Sequence, residues 1–204
     1  MSKIAIVTDS NSGITQREGK EAGIFVLPMP FLINDTSYFE DINLTQEEFY
    51  VHLRDAAANV STSQPSIGDL LDFWNDILKE YDEIVHIPMS SGLSQSCATA
   101  TALAKDFGGK IHVVNNQRIS VTLKESVFDA LKLRDQGKTA VEIKDYLENG
   151  NIRNSVNFPN CNMGARTQAG RIAILHKNKK GIIGKFSNIL GDGDINITDM
   201  TNKS

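Results

Sequence analysis

Three short clusters of hydroxyl-bearing and polar residues hold the side chains of this sequence that are best suited to bind a small anion. They occupy residues 9–12, 61–66 and 90–94. In open parallel α/β sheets, ligands lie beyond the carboxyl ends of the strands, where loops and helix N-termini present unpaired N–H groups. Neither Ser/Thr-rich cluster contains Lys or Arg. Hydroxyls and backbone amides would therefore form an uncharged donor set for a carboxylate or a phosphate.

The same residues support a second interpretation. Ser66 and Ser94 stand where N-caps of helices are expected, and the other hydroxyls are ordinary loop residues under this interpretation. Spacing alone leaves both interpretations open.

Residues that could catalyse a reaction or bind a metal form no recognisable pattern. Cys97 and Cys161 show neither metal-ligand spacing nor a disulfide framework. His52, His86 and His112 fall within predicted helix or strand runs, and no Gly-x-Gly-x-x-Gly follows a strand. The sequence predicts no catalytic residues, no metal site and no cofactor, so the protein is expected not to be an enzyme.

Composition is that of a soluble globular protein. The 204 residues are 40% hydrophobic and 23% charged, which suffices for one good core and a small second one. The net charge of -4 argues against binding to nucleic acid. Neither a cleavable leader nor an apolar run of membrane-spanning length is present, so we expect a cytoplasmic protein without a membrane span.

Strands and helices alternate along the first 150 residues. Buried strands are predicted at residues 3–8, 83–87 and 110–114. Helices are predicted after the capping box of Thr45 with Glu48, with an apolar face running to Val60, and then from Ser66, over residues 94–107 and 119–137, and after Thr139. Residues 24–33 are extended, but Pro28 and Pro30 argue against a regular central strand. This alternation predicts an α/β fold with a mostly parallel sheet covered by helices on both faces.

Four motifs in order resemble the N-terminal domain of the DegV family of bacterial fatty-acid binding proteins. They are residues 6–10 (Ile-Val-Thr-Asp-Ser), 27–30, 62–66 and 90–94, and the resemblance covers about residues 3–144. It implies a long-chain fatty acid whose carboxylate is held by hydroxyls at Thr62 and Ser94. The acyl chain would lie between two domains, and a partner fatty-acid kinase would receive the carboxylate.

The resemblance also suggests neighbouring ligand contacts. Ser63 and Ser91 are expected beside the headgroup, and Asp9 and Ser10 in a ligand loop. Gln95 departs from the family, which usually has glycine there. The family's second domain is expected to have no counterpart in this chain.

Residues 146–204 resemble the end of a D-3-phosphoglycerate dehydrogenase and the first half of its ACT regulatory domain. The motif His176-Lys177-Asn178, followed by Ile195-Asn196-Ile197, carries this resemblance. It implies that His176, Asn178 and Asn196 bind serine as an effector at an interface between two ACT domains. The expected elements are a strand at residues 171–176, a helix at 181–190 and a strand at 195–200, half of a ferredoxin-like fold. Without the resemblance, the same three residues simply end a strand and shape turns.

Together these patterns predict three parts. They are a DegV-like α/β lipid-binding domain at residues 1–148, a linker at 149–169 and a partial ACT-like βαβ unit at 170–204. The predicted function is non-enzymatic binding of a fatty acid. The alternatives are a serine-sensing regulatory module or fragment of a phosphoglycerate dehydrogenase, and an inactive chimera. Because one βαβ copy leaves a gap one strand wide, we also expect a homodimer in which the strands at 171–176 pair.

Overall fold

A computed structural model of the chain describes residues 2–40, 42–55, 57–151, 162–167, 171, 172, 174, 176 and 179–200. The chain divides into two compact units, residues 1–148 and residues 149–204. The strands are β1 (Ile4–Asp9), β2 (Ile24–Leu27), β3 (Pro30–Ile33), β4 (Thr36–Phe39), β5 (Val60–Thr62), β6 (Glu83–Ile87) and β7 (Ile111–Val113). The helices are α1 (Gln16–Ala22), α2 (Gln46–Arg54), α3 (Ile67–Ile77), α4 (Ser96–Leu103), α5 (Ser120–Asp135), α6 (Ala140–Asn149) and α7 (Ile182–Asp192).

The main sheet of the first unit is parallel throughout, with strand order β2-β1-β6-β7. All six residues of β1 are buried. Ile4 and Ile6 belong to a core cluster that includes residues of α5 and α6, whereas Ala5 and Val7 belong to a second cluster with residues of α3 and α4. Helices therefore cover both faces, and the predicted α/β fold with a mostly parallel sheet is confirmed.

A second, antiparallel sheet of three strands has the order β4-β3-β5. The sequence pattern does not predict it, because each strand has only three or four residues. Pro30 opens β3, the central strand, and proline is tolerated at the first position of a strand because its missing N–H costs no ladder bond there. Phe31 packs against Phe49 of α2, with ring centroids 5.1 Å apart.

Capping interactions set most of the helix starts. The Thr45–Glu48 box begins α2, Ser66 caps α3, and the side chain of Thr139 accepts from Glu142 N at the start of α6. The sequence also contains a Thr15–Glu18 box that begins α1, a helix outside the predicted set. Gly19 lets α1 approach β2 closely, since a Cβ there would lie 2.8 Å from Val26 Cγ2.

Two predicted helix boundaries are wrong. The apolar face predicted to run to Val60 stops early, because α2 ends at Arg54 and Val60 belongs to β5. The helix predicted from Ser94 begins at Ser96, with Gln95 as a cap residue whose side chain makes no capping hydrogen bond. It gives way to a 3₁₀ turn at Ala104–Phe107.

In the second unit, the predicted helix is present as α7, but the described residues of the two predicted strands form no strand. Residues 195–200 are irregular, and so are the described residues 171, 172, 174 and 176. The side chain of Arg171 instead donates to the carbonyls of Asn149, Gly164 and Ala165 at 2.9, 3.0 and 3.1 Å. A strand without a neighbour leaves its backbone groups unpaired, which is a physical reason why these described residues are irregular.

Candidate functional site

The carboxylate of Asp9 joins the loop after β1 to the loop after β6. Its Oδ2 accepts a hydrogen bond from Met89 N at 2.7 Å, and its Oδ1 accepts one from Asn11 N at 3.0 Å. Burial raises the pKa of Asp9, and the hydrogen bonds from Met89 and Asn11 oppose that shift. Both oxygens therefore position backbone amides.

Ser10 holds the loop after β2 at the same edge of the sheet, because its Oγ accepts a hydrogen bond from Met29 N at 3.1 Å. Ser12 closes the turn by donating to Asp9 O at 2.8 Å. Asp9 and Ser10 lie where the sequence predicts a ligand loop, and their hydrogen bonds tie the loops after β1, β2 and β6 together. Direct contact of either residue with a ligand stays a prediction.

The second predicted cluster lies at the end of β5. Thr62 pairs with Phe31 across the antiparallel sheet, and its exposed hydroxyl makes no hydrogen bond within the described residues. Ser63 donates its backbone N–H to Pro30 O at 3.1 Å and its hydroxyl to Gln64 O at 2.9 Å. Ser66, in contrast, accepts from Asp69 N at 3.0 Å and caps α3. Within this cluster the capping interpretation is therefore confirmed for Ser66.

The third cluster forms the turn between β6 and α4. Ser90 Oγ accepts from Gly92 N at 3.1 Å, and Ser94 N donates to Ser90 O at 3.2 Å. Ser94 Oγ accepts from Ser96 N at 3.1 Å, so one lone pair is used while its O–H can still donate. The half-buried hydroxyl of Ser91 makes no hydrogen bond within the described residues.

Sequence reasoning missed two connections that organise this edge. Thr99 of α4 donates to Gln64 Oε1 at 3.3 Å, which links the second cluster to the helix after the third. Ser90 N donates to Arg118 O at 2.9 Å, and the Arg118 guanidinium donates to Ser126 Oγ of α5 at 2.7 Å. The loop after β7 thus belongs to the site, as its place beyond the carboxyl end of a parallel strand could have indicated.

A narrow cleft of about 10 Å³ opens between these loops, about the size that holds one water molecule. Its lining includes Asp9, Gln64 and Thr99 but not the four predicted headgroup residues Thr62, Ser63, Ser91 and Ser94. Ligand pockets for whole organic molecules are far larger. The four hydroxyl-bearing residues are exposed or half-buried and do not line this cleft.

His86 forms part of the floor of this cleft. It is 2% exposed, and burial lowers its pKa to about 3, so the ring is neutral. Trp74 packs edge-on against it with centroids 5.6 Å apart, and neither ring nitrogen makes a hydrogen bond within the described residues. The Oγ of Ser96, which lines the same cleft, also has no partner there.

The predicted effector residues of the tail are only partly described. The ring of His176 lies 5.6 Å from that of Phe186 of α7, and Asn196 is exposed in the irregular segment after α7. Asn178 lies outside the described residues. Serine binding by these three residues stays a prediction without structural support.

Across the described residues, no group of three or more His, Cys, Asp or Glu side chains is placed to hold a metal ion. In the same part of the chain, every helix is too short or too polar to cross a membrane.

Curated relatives match most of the chain. A DegV domain-containing protein of Staphylococcus aureus (strain N315) is 30% identical over 191 residues, 93% of this chain and 66% of the relative. Another, from Deinococcus radiodurans, is 30% identical over 145 residues, 71% of this chain and 52% of the relative. The chain thus spans about two thirds of the length of the first of these relatives.

Two solved structures show the same fold. One, described as showing fatty-acid binding of a DegV family protein from Thermus thermophilus, is 29% identical, with a TM-score of 0.65. The other, DegV from Bacillus subtilis, described as a fatty acid binding protein, is 27% identical, with a TM-score of 0.66. Each superposition covers 72% of this chain, with 52% of the first structure and 53% of the second.

The family assignment reaches further along the chain than the sequence motifs suggest. The sequence profile described as "Uncharacterised protein, DegV family" matches residues 3–189 and so continues through α7. The comparisons do not show the phosphoglycerate dehydrogenase or ACT unit that the sequence predicts from residue 146. Nearly the whole chain is therefore accounted for by one family, and the chain belongs to the DegV family.

Proposed function

We propose that this chain supplies the headgroup-binding face of a fatty-acid binding protein and that it binds a long-chain fatty acid without chemically changing it. The observation that carries the proposal is the set of available hydroxyls at Thr62, the last residue of β5, and at Ser91 and Ser94, in the turn after β6. Family membership supports it, because the solved relatives from Thermus thermophilus and Bacillus subtilis are described as binding fatty acids.

The chemistry of these hydroxyls suits a carboxylate. Thr62 and Ser91 make no competing hydrogen bond within the described residues, and Ser94 receives one from Ser96 N that orients its oxygen while leaving the O–H to donate. A hydroxyl that donates to a carboxylate forms a charge-assisted bond, which is stronger than one between neutral groups. Ser63 is the least suitable of the four, because its hydroxyl donates to Gln64 O.

The scaffold below the hydroxyls fixes their loops. Asp9 holds the amide of Met89, and Arg118 O holds the amide of Ser90. The turn that carries Ser91 and Ser94 is thus tied at its start to two other loops, which reduces the ordering required when a ligand binds.

The acyl chain needs apolar surface beyond this small cleft. We propose that it is buried with the part of the DegV fold that the solved relatives have in addition, since the match covers only about half of their length. A partner kinase that receives the exposed carboxylate completes the proposal. The serine-sensing alternative and the strand-paired homodimer both depend on a βαβ unit, and the described part of the tail does not support one.

Displacement of a fluorescent fatty acid tests the headgroup assignment. Thr62→Val and Ser94→Ala should each weaken binding by roughly 1.5 to 3 kcal/mol, the range for hydrogen bonds to a charged group, or about 10- to 150-fold in Kd. Thr36→Val is the matched control, because Thr36 is an exposed threonine of the same antiparallel sheet. Equal affinity in the wild type and in both site variants would rule out these two hydroxyls as headgroup donors.

A further inference from the structure

A second concave surface lies on the first unit, away from the hydroxyl clusters in sequence and lined by different residues. It is a groove of about 210 Å³ bordered by β2 and by α3 with the turn that follows it. Phe73, Asp76, Ile77 and Glu80 are spaced i, i+3, i+4 and i+7 and share one side of the helical path, while Phe25 and Tyr81 complete the lining.

Three half-buried aromatic rings make up the walls of this groove. Phe25 and Tyr81 meet at an interplanar angle of 87° with centroids 5.4 Å apart, so they form a corner. The ring of Tyr81 already attracts a cation, because Lys3 Nζ lies 4.3 Å from its centroid. The negative faces of aromatic rings bind cations best where several rings converge.

The charge around the groove is negative. Residues 72–83 contain five carboxylates and one lysine, and Lys3 beside Tyr81 adds a second positive charge, so the carboxylates outnumber the cations five to two. Asp76 is paired with that lysine, Lys79, at 2.6 Å, whereas Glu80 forms no ion pair within the described residues and is exposed at the rim. A cation in the groove would therefore meet aromatic walls and a carboxylate that is free to face it.

We propose that this groove binds a quaternary ammonium group of the choline type. Such a group has no N–H to satisfy and is weakly hydrated, so aromatic walls can replace its water. A primary ammonium is strongly hydrated and needs hydrogen-bond acceptors, and a divalent metal needs several oxygen ligands. The site is separate from fatty-acid binding and does not depend on it.

The test compares choline with 3,3-dimethyl-1-butanol, its neutral isostere, by amide chemical-shift titration of the full chain at constant ionic strength. We expect choline to shift the resonances of Phe25, Phe73 and Tyr81 with a Kd about tenfold lower than that of the alcohol. Equal affinities would overturn the proposal, because they would show that the groove binds apolar groups whether or not they are charged. No perturbation of these residues by choline would also overturn it.

Two substitutions separate the aromatic and the acidic contributions. Tyr81→Leu should abolish the preference for choline over the alcohol. Glu80→Gln should weaken the binding of choline without affecting the binding of the alcohol. The matched controls are Tyr50→Leu, which removes a half-exposed tyrosine on α2, and Glu125→Gln, which removes an exposed carboxylate on α5. Because Glu80 is exposed, its variant keeps the fold even if Tyr81→Leu does not, and unchanged choline binding in Glu80→Gln would contradict the role of that carboxylate.

Co-sedimentation with phosphatidylcholine vesicles, with phosphatidylglycerol vesicles as reference, distinguishes free choline from a lipid headgroup as the source of this chemistry. Preferential co-sedimentation with phosphatidylcholine that Glu80→Gln reduces would identify the headgroup. Binding of free choline without preferential co-sedimentation would identify the free cation as the ligand.

Discussion

Burial keeps the imidazole of His86 neutral in the folded chain. Its pKa falls from an ordinary value of 6.5 to about 3 because the charged ring would lose its hydration inside the core. Between these two values the unfolded chain binds one proton that the folded chain does not. The contribution of His86 to stability is therefore fully present above pH 6.5 and is lost as the pH falls toward 3.

Replacing His86 with phenylalanine should remove this acid sensitivity. Between pH 6 and pH 4, the unfolding free energy of the wild type should fall more steeply than that of His86→Phe, by about 1.4 kcal/mol per pH unit, the value for one proton. Urea titrations followed by circular dichroism measure the difference. Titration of Asp9 changes the unfolding free energy with the opposite sign, because the pKa of Asp9 is raised in the folded chain. Asp9 is present in both proteins, so it affects the two pH profiles alike. Parallel pH profiles of the two proteins would show that the pKa of His86 is the same in the folded and the unfolded chain.

At the scale of single elements, a helix or strand can be predicted from the sequence where residues close to it in the chain determine it. The capping boxes at Thr45 and Thr139 locate α2 and α6, because each needs only residues within one turn. Strand β6 follows its apolar run at residues 83–87. The antiparallel sheet could not be predicted in this way, since β5 is three residues long and is fixed by pairing with β3, some 30 residues earlier.

The same limit applies to the candidate site. The clusters after β1 and β6 could be expected at one edge, because carboxyl ends of parallel strands meet there. The expectation was wrong for residues 61–66, which lie at the end of a strand of the antiparallel sheet. Which hydroxyls face outward and which cap helices could not be predicted, because Ser66 and Ser94 each stand just before a predicted helix. Their difference depends on the observed partners, Asp69 N for Ser66 and Ser96 N for Ser94.

Substitution of these two serines should separate stability from binding. Ser66→Ala removes the cap of α3 and should lower the unfolding free energy by about 1 kcal/mol while leaving fatty-acid affinity unchanged. Ser94→Ala, in contrast, should reduce affinity with a smaller loss of stability. Chemical unfolding and fatty-acid displacement on both variants measure the two effects. If Ser94→Ala instead costs stability and leaves affinity intact, Ser94 has a structural role only.

At the scale of the whole molecule, α6 completes the first unit. Ala140, Ile143 and Leu147 belong to the core cluster on one face of the sheet. Glu148 Oε1 accepts from Asn115 N at 2.8 Å, and Lys144 donates to Val113 O, so the helix also holds the loop after β7. The second unit begins at Asn149, the last residue of this helix.

Two truncated chains test whether the first unit is complete at α6. A chain of residues 1–150 should unfold with the same free energy as the full chain. A chain of residues 1–138 loses three buried side chains and should be destabilised by about 5 kcal/mol, comparable to the whole stability of a marginal domain. Urea unfolding of both chains gives the values. A large loss already in the longer truncation would show that residues beyond 150 stabilise the first unit.

The polar end of β1 also decides how that strand aligns during folding. Because β1 is buried on both faces, sliding it by one residue along β6 would still place apolar side chains in both cores, so hydrophobicity discriminates weakly between the two alignments. Thr8 Oγ1 donating to Ile87 O at 2.9 Å and Asp9 accepting from Met89 N are satisfied in the observed register. A shifted strand would carry a buried carboxylate away from its amide, which is costly in a low-dielectric interior. Thr8 and Asp9 thus select one alignment of the central strands and exclude its near neighbours.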